Sequence, residues 1–119
     1  MMRIQIKRIY EEDHPDDGTR ILVDRLWPRG MSKEKANIHY WAKDIAPSNE
    51  LRKWYQHAPD KWDEFKRRYK KELNDKPEVL EAFMAQFDGE TTTFVFSSTE
   101  TELNNAVVLK TYVEKRIIE

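Results

Sequence analysis

The sequence predicts a single α/β domain, with a small, mainly parallel sheet flanked by helices. Three observations carry this. Strand-like segments stand near both ends of the chain, at "RIQIKRIY", "RILVDRLW" and "TTTFVFSS". Segments with helical apolar spacing lie between the second and third of these and again after the third. The chain, 119 residues long, fits one domain and shows no repeat, linker or low-complexity stretch.

The elements follow in order. "RIQIKRIY" alternates Ile4, Ile6 and Ile9 with charges, as a strand does. "EEDHPDDG" is an acidic, turn-rich loop. "RILVDRLW" opens with a continuous apolar run, the mark of a strand buried on both faces. The loop between the two strands is about as short as a parallel crossover permits, so a hairpin is an open alternative. "SKEKANIHYWAKDI" reads as irregular with some helix. Ser48 is placed to cap a helix over "ELRKWYQH", with Glu50 favourable in its first turn.

Asp60 is placed to cap the next helix, where Trp62, Phe65, Tyr69 and Leu73 form one apolar seam. Asp63–Arg67 and Glu64–Arg68 have i,i+4 spacing on its other faces. Pro77 suits the first turn of a further helix with a stripe of Val79, Leu80, Phe83, Met84 and Phe87, ended by Gly89. "TTTFVFSS", rich in β-branched and aromatic residues, is the clearest strand. Thr99 and Glu102 have capping-box spacing for a last helix. Its packing face would be Leu103, Ala106, Val107, Leu109, Val113 and Ile117.

Composition narrows the function classes. The 21 basic and 22 acidic residues nearly cancel, which gives no general attraction to nucleic acid or an anionic membrane. The absence of cysteine excludes disulfides, thiolate catalysis and Cys-based zinc sites, and suits a reducing compartment. No signal-peptide pattern and no membrane-length apolar run is visible, so a soluble, cytoplasmic protein is expected. His14, His39 and His57 lack zinc-site spacing, and no metal site is assigned. Neither a phosphate-cradling glycine loop nor a G-x-S-x-G elbow is present, and the sequence assigns no cofactor.

Two stretches carry candidate chemistry. A strand at 91–98 opening into a helix offers free N–H groups and a positive dipole end, with Ser97, Ser98, Thr99 and Thr101 adding hydroxyls. Plain helix capping is the alternative reading. "DRLWPRG" ends a strand with two arginines, an aspartate and an indole around a turn. If the strands are parallel, Arg25 and Arg29 reach the space above the 97–101 loop, where open α/β folds bind ligands. Their guanidinium forks suit phosphate or carboxylate. The alternative is structural: Asp24 paired with Arg25 or Arg8, and Trp27 in the core.

"RILVDRLWPRG", "APSNELRKWYQHAPDKWDEFKRRYKKEL" and "NNAVVL" resemble the YeaO-like proteins of domain of unknown function 488, over almost the whole chain. The resemblance implies parallel first and second strands. Its matching positions include Asp24, Arg25, Trp27, Pro28, Arg29 and Gly30, then Pro47, Ser48, Leu51 and Arg52, and later Glu72, Asn104 and Ala106. Many relatives follow the asparagine with histidine where this chain has Asn105, so an acid/base histidine there is absent.

Together these readings place a site at the carboxyl edge of the sheet. It would bind, or also turn over, a small anionic molecule such as a nucleotide, sugar phosphate or carboxylate. Arg25, Arg29, Arg52, Thr99 and Asn104 are its expected ligand-binding residues, with Trp27 as a stacking wall. If chemistry occurs, Asp24 is the candidate base and Ser97 or Ser98 the candidate nucleophile. The competing class is a non-catalytic interaction module that binds protein or nucleic acid through the Arg/Trp surface, and the charge balance disfavours duplex binding. A third possibility is a ligand-free ion network of Asp24, Arg25 and Arg52.

Overall fold

The structure, a computed structural model, describes residues 2–118. Strand β4 (Thr91–Phe96) is its centre, and five of its six residues are buried. Strand β1 (Arg3–Arg8) pairs along one edge of β4 and β2 (Thr19–Leu22) along the other. A two-residue strand, β3 (Tyr40–Trp41), adds to β2. All pairings are parallel, in the order β1-β4-β2-β3. The hairpin alternative is therefore excluded, because β4 lies between β1 and β2.

The connection over residues 9–18 crosses β4 with one 3-10 turn, Pro15–Asp17, in place of a helix. Thr93 on β4 donates its hydroxyl to the Asp17 carbonyl at 2.6 Å, fixing the crossover to the sheet. Gly18 takes φ +63°, and a Cβ there would collide with the Thr91 carbonyl oxygen.

Next to this crossover lies a buried ion cluster. Arg20, 2% exposed, meets Asp17 at 2.6 Å and donates to the carbonyls of Ala36 and Asn37 at 2.8 and 3.0 Å. Lys7 reaches Asp17 at 3.2 Å. Burial pushes the Asp17 carboxyl up. The His14 backbone N–H, Lys7 and Arg20 outweigh that and hold it below its ordinary value.

The sheet is covered on both faces, as a parallel sheet requires. Ile4, Ile21, Val23, Phe94 and Phe96 join the larger core with helices α2 (Asn49–Tyr55), α3 (Trp62–Asn74), α4 (Pro77–Met84) and α5 (Asn105–Ile118). Leu22 and Val95 point the other way, into a smaller cluster with Ile9, Ala36, Trp27, Met31, Ile38 and Trp41. This smaller core includes the short helix α1 (Lys33–Ala36).

Ser48 caps α2 as expected, its hydroxyl oxygen accepting from Leu51 N–H at 3.1 Å. Glu72 on α3 receives both the Ser48 N–H and its hydroxyl, at 2.9 and 2.6 Å. Along α3, Phe65, Tyr69 and Leu73 are buried while Trp62 stays half-buried at the seam's end.

Several local expectations need correction. The second strand ends at Leu22, and 23–31 is loop: Val23 makes the last backbone bond to β4, and beyond it the chain leaves the sheet toward the Pro28–Met31 turn. Strand β3 was hidden in an irregular stretch, since two residues give no periodicity. Asp60 caps nothing; it sits inside a 3-10 turn, Pro59–Lys61, that runs directly into α3. Asp63 pairs with Lys66, and both Arg67 and Arg68 converge on Glu64. Thr99 and Glu102 form no capping box, because α5 begins only at Asn105. Val108 joins the buried face of that helix, and Ile117 is 39% exposed. Among the described residues no helix is long and apolar enough to cross a membrane.

Candidate functional site

Because the strands are parallel, the loops leaving β2 and β4 emerge at the same edge of the sheet, next to the end of α2. Together they enclose a cleft of about 520 Å³. That is ample for a small molecule. Asp24, Arg25, Trp27, Arg29, Arg52, Ser97 and Ser98 all line it. Thr99 and Asn104 do not.

The "WPRG" turn has a clear local cause. Met31 N–H donates to the Pro28 carbonyl at 3.3 Å, and Gly30 at the third position takes φ +74°. Pro28 is buried, so Arg29 is held outward at the tip. Tyr10 braces the tip by donating its hydroxyl to the Arg29 carbonyl at 2.8 Å. Trp27 donates its indole N–H to the Met31 carbonyl at 2.7 Å and packs edge-on against Trp41 at 5.4 Å. Its ring is thus fixed by packing while also lining the cleft.

Among the described residues Asp24 does not pair with an arginine. One of its oxygens accepts from the Ser97 N–H and hydroxyl at 2.8 and 2.9 Å; the other accepts from the Asn105 side-chain amide at 3.3 Å. Asp24 therefore ties the ends of β2 and β4 to the start of α5. Arg25 donates to the Pro47 and Ala46 carbonyls, both at 3.2 Å, pinning the entrance of α2 beneath the cleft. Arg8 donates to the Ser98 and Ser97 carbonyls at 2.8 and 3.2 Å. Among the described residues the ligand-free network of Asp24, Arg25 and Arg52 does not form, and the one side-chain hydrogen bond of Arg52 goes to Asn49, at 3.3 Å.

The helix-start reading of 98–101 changes character here. Asn104, fully buried, caps α5 by accepting from Val107 N–H at 3.1 Å, and donates to the Glu100 carbonyl at 2.7 Å. The Glu100 carboxylate accepts the Glu102 and Leu103 N–H groups, each at 3.0 Å. The Leu103 and Glu102 N–H groups, with His57 adding to them, hold that carboxyl below its ordinary value. The loop thus fills its own N–H sites with a carboxylate of the chain. Thr99 is exposed on the same loop, outside the cleft.

Sequence reasoning missed Lys53, Tyr55 and His57, which also line the cleft. His57 is brought there by an unusual exit from α2, where Gln56 and His57 both take left-handed φ, 46° and 54°. Its Nε2 lies 3.5 Å from the Ser98 hydroxyl oxygen. The only sequence signal was the break before Pro59, which forbids the helix from continuing. Tyr55 and Phe65 stack at 4.2 Å between ring centres and form the apolar floor. Among the described residues no group of three or more carboxylates or histidines is placed to hold a metal ion.

Comparison with known proteins bears on this geometry. A family model described as "Inactive DUF488-N3 subclade" matches residues 3–119. The chain is 37% identical over 108 residues to the uncharacterized protein YeaO of Escherichia coli, covering 91% of this chain and 94% of that protein. It is 49% identical over 79 residues to an uncharacterized protein of Mycobacterium tuberculosis strain H37Rv, covering 66% of this chain and 67% of that one. No solved structure matches. With a family model spanning nearly every residue and YeaO aligned over most of both chains, the chain belongs to the YeaO-like DUF488 family.

Proposed function

We propose that the cleft binds a small anionic molecule and holds it without turning it over. The observation that carries this is charge. Four cations, Arg25, Arg29, Arg52 and Lys53, line one cleft, and none forms an ion pair among the described residues. In a chain with more acids than bases, unpaired cations gathered at one place favour an anion as the missing partner. Two further points support binding over turnover by the Asp24–Ser97 pair. Asp24, the candidate base, is engaged by Ser97 and Asn105, and Ser97 spends its hydroxyl proton on that same carboxylate. The family description itself carries the word "Inactive". The proposed setting is the cytoplasm, in keeping with a cysteine-free chain.

The test is thermal unfolding of wild type and Arg29→Ala against phosphates, nucleotides and carboxylates. Arg29 is exposed, so its loss alone should change stability by less than about 0.5 kcal/mol. A ligand at a hundred times its Kd should stabilise the wild type by about 2.7 kcal/mol. The variant should lose most of that gain. No shift with any anion overturns the reading.

One observation favours the second reading, a non-catalytic module docking protein or nucleic acid through this surface. Leu26, 60% exposed, and Tyr10, 42% exposed, both line the cleft and leave apolar surface at its rim for a partner to cover. Affinity for nucleic acid that falls steeply with salt would support it.

A further inference from the structure

The cleft is polarised along its depth. Its buried lining is apolar: Pro28, Ala46, Pro47, Tyr55 and Phe65. Its exposed lining carries the free cations Arg29, Arg52 and Lys53. Half-buried between them stand Trp27 and a polar belt of Asp24, Arg25, Ser97, Ser98 and Asn105, in which Arg25 is committed to the Ala46 and Pro47 carbonyls and Asp24 to Ser97 and Asn105. A ligand that was only an anion would leave the floor facing water. A ligand that was only apolar would leave the cations without partners.

From this polarity we infer that the ligand is a phosphate monoester of a flat apolar or aromatic body, and that it enters body first. The body lies on the Tyr55–Phe65 floor against Trp27, and the phosphate stays at the mouth between Arg29 and Arg52. The number of cations selects the head group. A carboxylate carries one charge and is matched by one guanidinium fork, whereas a phosphate monoester carries close to two at neutral pH and offers three terminal oxygens. Apolar contact in the depth adds affinity that inorganic phosphate cannot gain. The inference rests on the anion-binding reading above and adds the ligand's body and orientation to it.

Calorimetric titration of the whole chain with phenyl phosphate, inorganic phosphate and benzoate, at fixed ionic strength, tests it. Phenyl phosphate should bind at least tenfold more tightly than either of the others, a difference of about 1.4 kcal/mol. Arg52→Gln, an exposed substitution, should weaken phenyl phosphate and inorganic phosphate by a similar factor. Nuclear Overhauser contacts from the phenyl protons should reach Tyr55 or Trp27. If phenyl phosphate and phosphate bind equally, or the ring contacts only Tyr10 and Leu26, the body-first inference falls while anion binding stands. If none of the three binds, the body-first inference falls, and the anion-binding reading falls with it when the wider panel of phosphates, nucleotides and carboxylates also gives no shift.

Discussion

Arg20 illustrates how much one buried charge constrains its neighbours. Its guanidinium is satisfied by one carboxylate and two carbonyls, so every partner is needed to offset the loss of water. Asp17→Asn removes the carboxylate that meets it and should cost roughly 3–5 kcal/mol in denaturant unfolding at pH 7. Asp17 also sets a pH dependence. Its carboxyl titrates lower in the folded protein than the ordinary 3.8. Its contribution is therefore complete above that value and is lost as pH falls through the lower folded one. Urea midpoints measured from pH 6 down to pH 2 should fall steeply in wild type, and Asp17→Asn should flatten that fall. None of this was legible in "HPDDGTR", which looks like a solvated turn, because burial of a charge depends on which distant backbone covers it. Here that cover is the 36–37 stretch.

The last helix shows what decides where an element starts. Thr99 and Glu102 have the spacing of a cap, but spacing alone does not choose among several polar residues in a row. Asn104 is the residue buried with both ends of its amide satisfied, and α5 starts after it. Asn104→Ala should lower stability by about 1–2 kcal/mol, read as a shifted urea midpoint at unchanged slope. Glu102→Ala, at an exposed position, should change it by less than about 0.5 kcal/mol. Elements with long apolar periods were readable in advance. The seam of α3, the Ser48 cap of α2 and the composition of β4 each carried a local physical signal. Strand β3 carried none, and at the left-handed exit of Gln56 and His57 Pro59 marked only that the helix stops, since tertiary contacts impose both geometries.

At the scale of the molecule, "DRLWPRG" and the 97–98 loop could be placed at one edge because parallel strands send their carboxyl ends the same way. The third wall, contributed by Arg52 and Lys53 of α2 and by His57 just past its end, depended on how that helix packs, and only Arg52 was anticipated. The sheet order also has a consequence in time. Both β1 and β2 are hydrogen-bonded to β4, and β4 leaves the ribosome about seventy residues after β2. At roughly 5–20 residues per second, the first two strands wait several seconds with open edges before their shared partner exists. A fragment of residues 1–88, lacking β4 and α5, should accordingly show no cooperative thermal transition by circular dichroism. A sharp transition would mean that the helices fold without the sheet. During synthesis the nascent chain is expected to be a client for holding factors until β4 and α5 emerge, and any stall before that point would leave the β4-facing edges of β1 and β2 open.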